Sequence, residues 1–156
     1  WGIQGLDILG RMVHMHNGAA VAILREEIQK TLDSAAHHNT LGEYSTALSR
    51  ALGIMEQTIA TVAQCDDKAL ALANATLFLD AAGHIVIAWM WLKQAVAAAN
   101  GLQNGVAADV AFYQGKLAAT AFFFRYELPK ATTNLALVAA LDSTCYDLTA
   151  EQFLGV

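Results

Sequence analysis

The feature that most constrains the fold is one long apolar stretch near the middle of the chain, at residues 77–95. On a helical wheel, Ile85 and Trp89 fall on one side of this stretch, and His84 and Trp91 fall on another. A helix that is apolar on more than one face is usually covered by neighbours on several sides. The stretch therefore predicts the buried central helix of a helical bundle.

Length, composition and charge exclude several classes of protein. The chain has 156 residues, which favours one domain, and its 56% of hydrophobic residues exclude a disordered chain. The longest uncharged run in the central stretch, residues 81–92, is shorter than the roughly 20 residues of a membrane span, so no span is expected. A net charge of -5 without a basic stripe argues against nucleic-acid binding. Two cysteines without metal-type spacing and no secretory pattern predict a cytoplasmic protein.

Apolar residues at helical spacing predict an all-α fold, an up-and-down antiparallel bundle of five to six helices. The clearest pattern is in the third helix, where apolar residues step by three or four through residues 41–62. Thr40 and Glu43 match a capping box at its start. Asp66 or Asp67 is expected to cap the long fourth helix.

Glycines and one proline mark the later boundaries. Residues 101–105 predict a loop, after which the fifth helix is expected to begin at Ala108 or Asp109. Pro129 has no backbone N–H and disfavours a helical conformation in the residue before it. It therefore predicts a break or kink before a sixth helix at residues 130–141.

Patterns typical of catalysis or metal binding are scarce. A di-iron bundle needs Glu-x-x-His, and no glutamate in this chain has a histidine three residues later. His14 and His16 would point to different faces of a helix. Asp80 and His84, one turn apart, can form a catalytic dyad or a buried hydrogen-bonded pair, and the buried pair is favoured. We predict no catalytic and no metal-binding residue.

Three patches of the chain carry a resemblance to a known family. Residues 2–11, Gly-Ile-Gln-Gly-Leu-Asp-Ile-Leu-Gly-Arg, resemble the segment directly after the catalytic Tyr-Glu-Gly-Thr motif of acyl-CoA dehydrogenases. The resemblance is to the branch that includes 3-methylmercaptopropionyl-CoA dehydrogenase. Residues 88–92, Ala-Trp-Met-Trp-Leu, and residues 112–119, Phe-Tyr-Gln-Gly-Lys-Leu-Ala-Ala, resemble its C-terminal extension. The three patches occur in the family's order, and the resemblance covers nearly the whole chain.

The resemblance implies a C-terminal fragment of an FAD-dependent enzyme that dehydrogenates an acyl-CoA thioester between its α and β carbons. In the family, the glutamate of the motif takes a proton from the α carbon while hydride leaves the β carbon for the flavin. This chain begins after that motif, so we expect the fragment to lack the glutamate, to be inactive alone and to hold no cofactor. Trp1 and Gly2 would continue a loop near the flavin of the intact parent.

The same resemblance implies two parts and several partners. Residues 1–39 resemble the final helices of the catalytic C-terminal domain, and residues 40–156 resemble the extra bundle that follows it. Its excess of apolar side chains predicts contact with the rest of the parent and with a second subunit, in a homo-oligomer. Two alternatives remain open. One is a free-standing helical adaptor that binds a partner protein, and the other is a small enzyme or metal-binding bundle that uses Asp80 and His84.

Overall fold

In the computed structural model of the protein, residues 2–105 and 109–155 are described, and these ranges contain eight α-helices and no strand. The helices are α1 Ile3–Gly10, α2 Ala19–Ala35, α3 Gly42–Ala63, α4 Lys68–Leu72, α5 Ala75–Asn104, α6 Val110–Phe122, α7 Leu128–Ala139 and α8 Ala150–Leu154. The 3₁₀ segments Met12–Gly18 and Asn39–Leu41 precede α2 and α3, and the π segment Phe123–Glu127 joins α6 to α7. The prediction of an all-α helical bundle is confirmed.

The centre of the bundle is α5, which packs against α1, α2, α3, α6 and α7. Its inner side is fully buried and is formed by Phe78, Ala81, Ile85, Ala88, Leu92 and Ala95. The prediction that neighbours cover the helix on several sides is confirmed, but one face is left exposed. Val86, Ile87 and Met90 are 37%, 48% and 36% exposed. These three residues are called the outer face of α5 below.

The starts of α3 and α5 differ from the predicted caps. Thr40 lies inside a 3₁₀ turn, and α3 begins after Leu41 without a side-chain cap, so the predicted capping box with Glu43 is wrong. Asp67 does act as a cap, but of the short helix α4. The long helix α5 begins separately after Asn74, without a side-chain cap.

Residues 101–105, predicted as a loop, are mostly helical, so α5 continues to Asn104. Gly101 is inside the helix, where a Cβ atom would lie 2.5 Å from the ring of Tyr113. Because glycine has no Cβ atom, the ring of Tyr113 can pack against the α5 backbone. The helix ends at Gly105, whose φ of 65° suits glycine. The predicted start at Ala108 lies outside the described residues, and Asp109 directly precedes α6.

Pro129 does not end the helical path of the chain, and the predicted sixth helix at residues 130–141 corresponds to α7, which begins two residues earlier, at Leu128. The backbone N–H of Leu128 donates to the carbonyl oxygen of Phe123, five residues back, which forms the π segment. Pro129 then falls in the first turn of α7, where a missing N–H leaves no hydrogen bond unmade. The chain therefore stays helical from α6 through α7 alongside α5.

By length and composition alone, the helical stretch Lys68–Asn104 could cross a membrane, and it is the one such stretch in the described ranges. The core helix of a helical bundle meets the same criterion. The prediction of no membrane span stays a prediction.

Candidate functional site

A strongly apolar depression on the described surface is a groove between α1, α2 and α5. Its volume is about 190 Å³, and every residue that lines it is hydrophobic. The lining includes Ile8, Met12, Ala20, Leu24, Ala82 and Val86. We call it the α1–α2–α5 groove.

This groove continues into the outer face of α5, because Val86 belongs to both. Ile23 on α2 is also exposed, to 60%. A contiguous exposed apolar surface on a small protein usually marks a place where another surface binds. Sequence analysis missed this surface because it assigned all of α5 to the core. The sequence holds no signal that separates Val86, Ile87 and Met90 from the buried residues, because apolar residues occur on every side of this helix.

A polar cluster lies where α5 meets the π segment and α7. His84 Nδ1 lies 2.8 Å from the backbone oxygen of Asp80 and 3.5 Å from its carboxylate, and His84 Nε2 lies 3.7 Å from Glu127 Oε2. Lys130 Nζ donates to Glu127 at 2.6 Å, and Asn134 Nδ2 donates to Asp80 Oδ2 at 2.8 Å. The cluster thus links α5 to the π segment and to α7 through side chains.

The geometry corrects the predicted buried pair. The His84 side chain is 19% exposed, but that of Asp80 is 52% exposed, since it faces solvent beside Asn134. The hydrogen bond from Lys130 holds the pKa of Glu127 below its ordinary value, and the nearby His84 acts in the same direction. This arrangement stabilises a charged Glu127 and makes it a poor proton acceptor. In the described ranges, no group of three or more His, Cys, Asp or Glu side chains could hold a metal ion.

The histidines at positions 14, 16 and 38 belong to no metal-binding group in the described ranges. The segment that carries His14 and His16 is not a regular helix, because Met15 is extended and His16 is left-handed, with φ of 50°. Both side chains are exposed. His38 is buried, and its Nδ1 lies 3.5 Å from the side-chain nitrogen of Gln103 on α5, so it serves packing.

The residues implied to lie near a flavin are at the edge of the structure. Trp1 lies outside the described residues. Gly2 precedes α1 with φ of 69°, and a Cβ atom there would lie 3.1 Å from the hydroxyl of Thr76. This glycine alone does not form a flavin pocket and could contribute only to one completed by residues outside this chain. We therefore assign no step of a flavin reaction to it, and its predicted role in the intact parent stays a prediction.

Comparison with known proteins identifies the family. The model of the family described as "Acetyl-CoA dehydrogenase C-terminal like" matches residues 24–149. The chain belongs to this family. A curated relative is the broad-specificity linear acyl-CoA dehydrogenase FadE5 of Mycobacterium tuberculosis, 29% identical over 160 residues. The match covers 97% of this chain but only 26% of the relative, so the chain spans about a quarter of that protein's length.

These findings bear out the resemblance to acyl-CoA dehydrogenases and the assignment to a C-terminal-like domain. The specific 3-methylmercaptopropionyl-CoA branch is not confirmed. The family match runs across residues 39 and 40, and the predicted domain boundary there stays a prediction.

Proposed function

We propose that this chain is the C-terminal lobe of an FAD-dependent acyl-CoA dehydrogenase that dehydrogenates an acyl-CoA thioester between its α and β carbons. The parent would act in fatty-acid metabolism in the cytoplasm, as a homo-oligomer of the 3-methylmercaptopropionyl-CoA dehydrogenase-like branch. The lobe alone would be inactive and would bind no FAD. Family membership and similarity to a linear acyl-CoA dehydrogenase support the assignment to such an enzyme.

The role of the lobe would be to dock on the rest of the parent. The observation that carries this role is the apolar surface formed by the α1–α2–α5 groove and the outer face of α5. Two residues of this surface, Val86 and Met90, lie on α5, the central helix of the bundle. A surface that covers them would therefore pack directly against the helix that forms the core of the lobe. Burial of such a surface is favourable at about 25 cal/mol per Å².

The docking role can be tested with Met90→Glu in the full-length protein that contains this chain. Met90 is 36% exposed in the lobe, so we expect the isolated 156-residue chain to tolerate the change. In the full-length protein, a carboxylate at a covered apolar surface would be desolvated without a partner. Limited proteolysis should then release the lobe faster than it does from the unmodified protein.

Leu137→Glu on α7 is the matched control, because Leu137 is 43% exposed and lies outside both parts of the apolar surface. If full-length Met90→Glu resists proteolysis as well as full-length Leu137→Glu does, the docking role is refuted.

The enzymatic assignment has its own test. The full-length protein should carry a bound flavin, visible in its absorbance spectrum, and should convert a saturated acyl-CoA to the 2-enoyl-CoA in the presence of an electron acceptor. The isolated chain should show neither property. A tightly held flavin or measurable turnover in the isolated chain would contradict the proposal.

A further inference from the structure

The C-terminal helix α8 is capped, but none of its residues is buried in the described structure. The backbone N–H of Gln152 donates to Thr149 Oγ1 at 3.2 Å, and the N–H of Thr149 donates to Gln152 Oε1 at 3.0 Å, which completes a capping box. No residue of α8 is buried, and Leu148, Phe153 and Leu154 are 52%, 80% and 68% exposed. A five-residue helix is marginal in water without tertiary contacts. This apolar helix is therefore built to pack against another surface.

A second groove, between α3 and α7, has the shape and chemistry to accept it. The α3–α7 groove has a volume of about 570 Å³. Its lining includes Ala47, Arg50, Ala51, Phe124, Leu128 and Pro129. Phe124 and Leu128 are buried and form an apolar floor, and the two alanines of α3 leave room for a close approach by another helix.

Charge on the rim of this groove complements charge on α8. Glu43 on the rim is paired with Arg125 at 3.2 Å, whereas Arg50 has no carboxylate partner within the described part of the chain. From residue 142 to the end, the sequence has acidic residues, Asp147 and Glu151 among them, and no lysine or arginine. Glu151 precedes Leu154 by three residues, so the carboxylate and the apolar side chain lie on the same side of α8.

The chain's own α8 does not lie in this groove, since no residue of α8 lines it and Phe153 is 80% exposed. The hydroxyl of Tyr146 donates to Asp67 Oδ2 at 3.3 Å, which holds the turn before α8 beside the start of α4. In a second copy the same α8 presents Phe153 and Leu154 to solvent, so it can enter the groove of its neighbour.

We propose that α8 of one copy of this chain docks in the α3–α7 groove of a second copy, with Phe153 and Leu154 on the apolar floor and Glu151 beside Arg50. The exchange is reciprocal, so two copies form a symmetric dimer with two equivalent contacts. This inference rests on the proposed homo-oligomer and names the surface that forms it.

Analytical ultracentrifugation of the 156-residue chain over a range of concentrations tests the contact. Phe153→Glu should raise the dimer dissociation constant at least about tenfold, because it removes a buried aromatic side chain from both contacts. Arg50→Glu should also weaken the dimer, and adding Glu151→Arg to that variant should restore part of the loss. All three positions are exposed, and circular dichroism verifies that each variant is folded.

Leu137→Glu is again the control, since Leu137 is exposed on α7 but does not line this groove. It should leave the dissociation constant unchanged. A dimer that survives Phe153→Glu overturns the α8 contact while the proposed homo-oligomer stands. A chain that stays monomeric at all concentrations also overturns the contact. The flavin test of the full-length protein decides the dehydrogenase assignment separately.

Discussion

Replacement of Gly5 by alanine should destabilise the protein, although alanine is the better helix former. Gly5 lies in the first turn of α1, where the helix crosses the start of α5. A Cβ atom at this position would lie 2.6 Å from the carbonyl oxygen of Ala75 and 3.1 Å from the backbone nitrogen of Thr76. Both are backbone atoms that cannot rotate away, so one helix must shift against the other.

The size of the effect follows from two opposing contributions. Overpacking of a close contact costs about 1–3 kcal/mol, and the conformational gain of Gly→Ala in a helix offsets roughly 0.5–1 kcal/mol of it. We expect Gly5→Ala to lower the free energy of unfolding by up to about 2.5 kcal/mol, measured by urea denaturation followed by circular dichroism. Gly83→Ala is the matched control, because its Cβ atom would meet nothing within 4 Å. That variant should raise the free energy of unfolding by about 0.5–1 kcal/mol.

The opposite signs make the comparison decisive. If Gly5→Ala stabilises the protein as much as Gly83→Ala does, then α1 does not lie against the start of α5 as described.

Three further substitutions test other contacts by the same measurement. Thr31→Val should lower the free energy of unfolding by about 1–3 kcal/mol, because the indole N–H of Trp89, which donates to Thr31 Oγ1 at 2.7 Å, would lose its acceptor. Adding Trp89→Phe to that variant should recover most of the loss. If Thr31→Val causes no loss, the hydrogen bond is refuted. Asp67→Ala should cost about 1 kcal/mol through loss of the α4 cap, while Asp67→Asn should cost less; equal losses would argue against the cap. The pKa of Glu127 is lowered in the folded state. The ionised Glu127 therefore stabilises the folded protein above the pKa of glutamate in the unfolded chain, about 4.3. This contribution is lost as the pH falls through the pKa of Glu127 in the folded state. Lys130→Gln removes the main cause of that shift. Its free energy of unfolding should therefore fall less than that of the wild type between about pH 5 and pH 3. An equal fall in both proteins would contradict the ion pair between Lys130 and Glu127.

The helical core could be predicted because its signals are local in sequence. In α3, Leu48, Leu52, Met55 and Val62 recur at helical spacing, and all four are buried. A stripe of this kind requires a packing partner whatever the partner is, so the pattern alone is sufficient.

Features that depend on the relative placement of helices could not be predicted. The composition of α5 does not distinguish Ile85, which is fully buried, from Val86, which is 37% exposed, because both are apolar and adjacent. Asp80 was predicted to be buried for a related reason. Its hydrogen-bond partner Asn134 lies 54 residues away in the sequence, so the sequence near Asp80 does not show that its side chain lies at the surface. Pro129 was interpreted from its missing N–H and from its effect on the preceding residue, without the π segment that accommodates it.

The predicted domain boundary at residues 39 and 40 does not divide the hydrophobic core of this chain. Leu9 and Ile28, on the N-terminal side, are fully buried and belong to the same core as Phe78 and Leu92. The hydrogen bond from Trp89 to Thr31 crosses the boundary as well. If the parent does divide there, residues 1–39 complete the packing of α5 in this chain and cannot leave it without exposing the core. The outer face of α5 is exposed in the described residues. It is the side of α5 on which the proposed contact with the rest of the parent would form, so the docking test substitutes Met90 there.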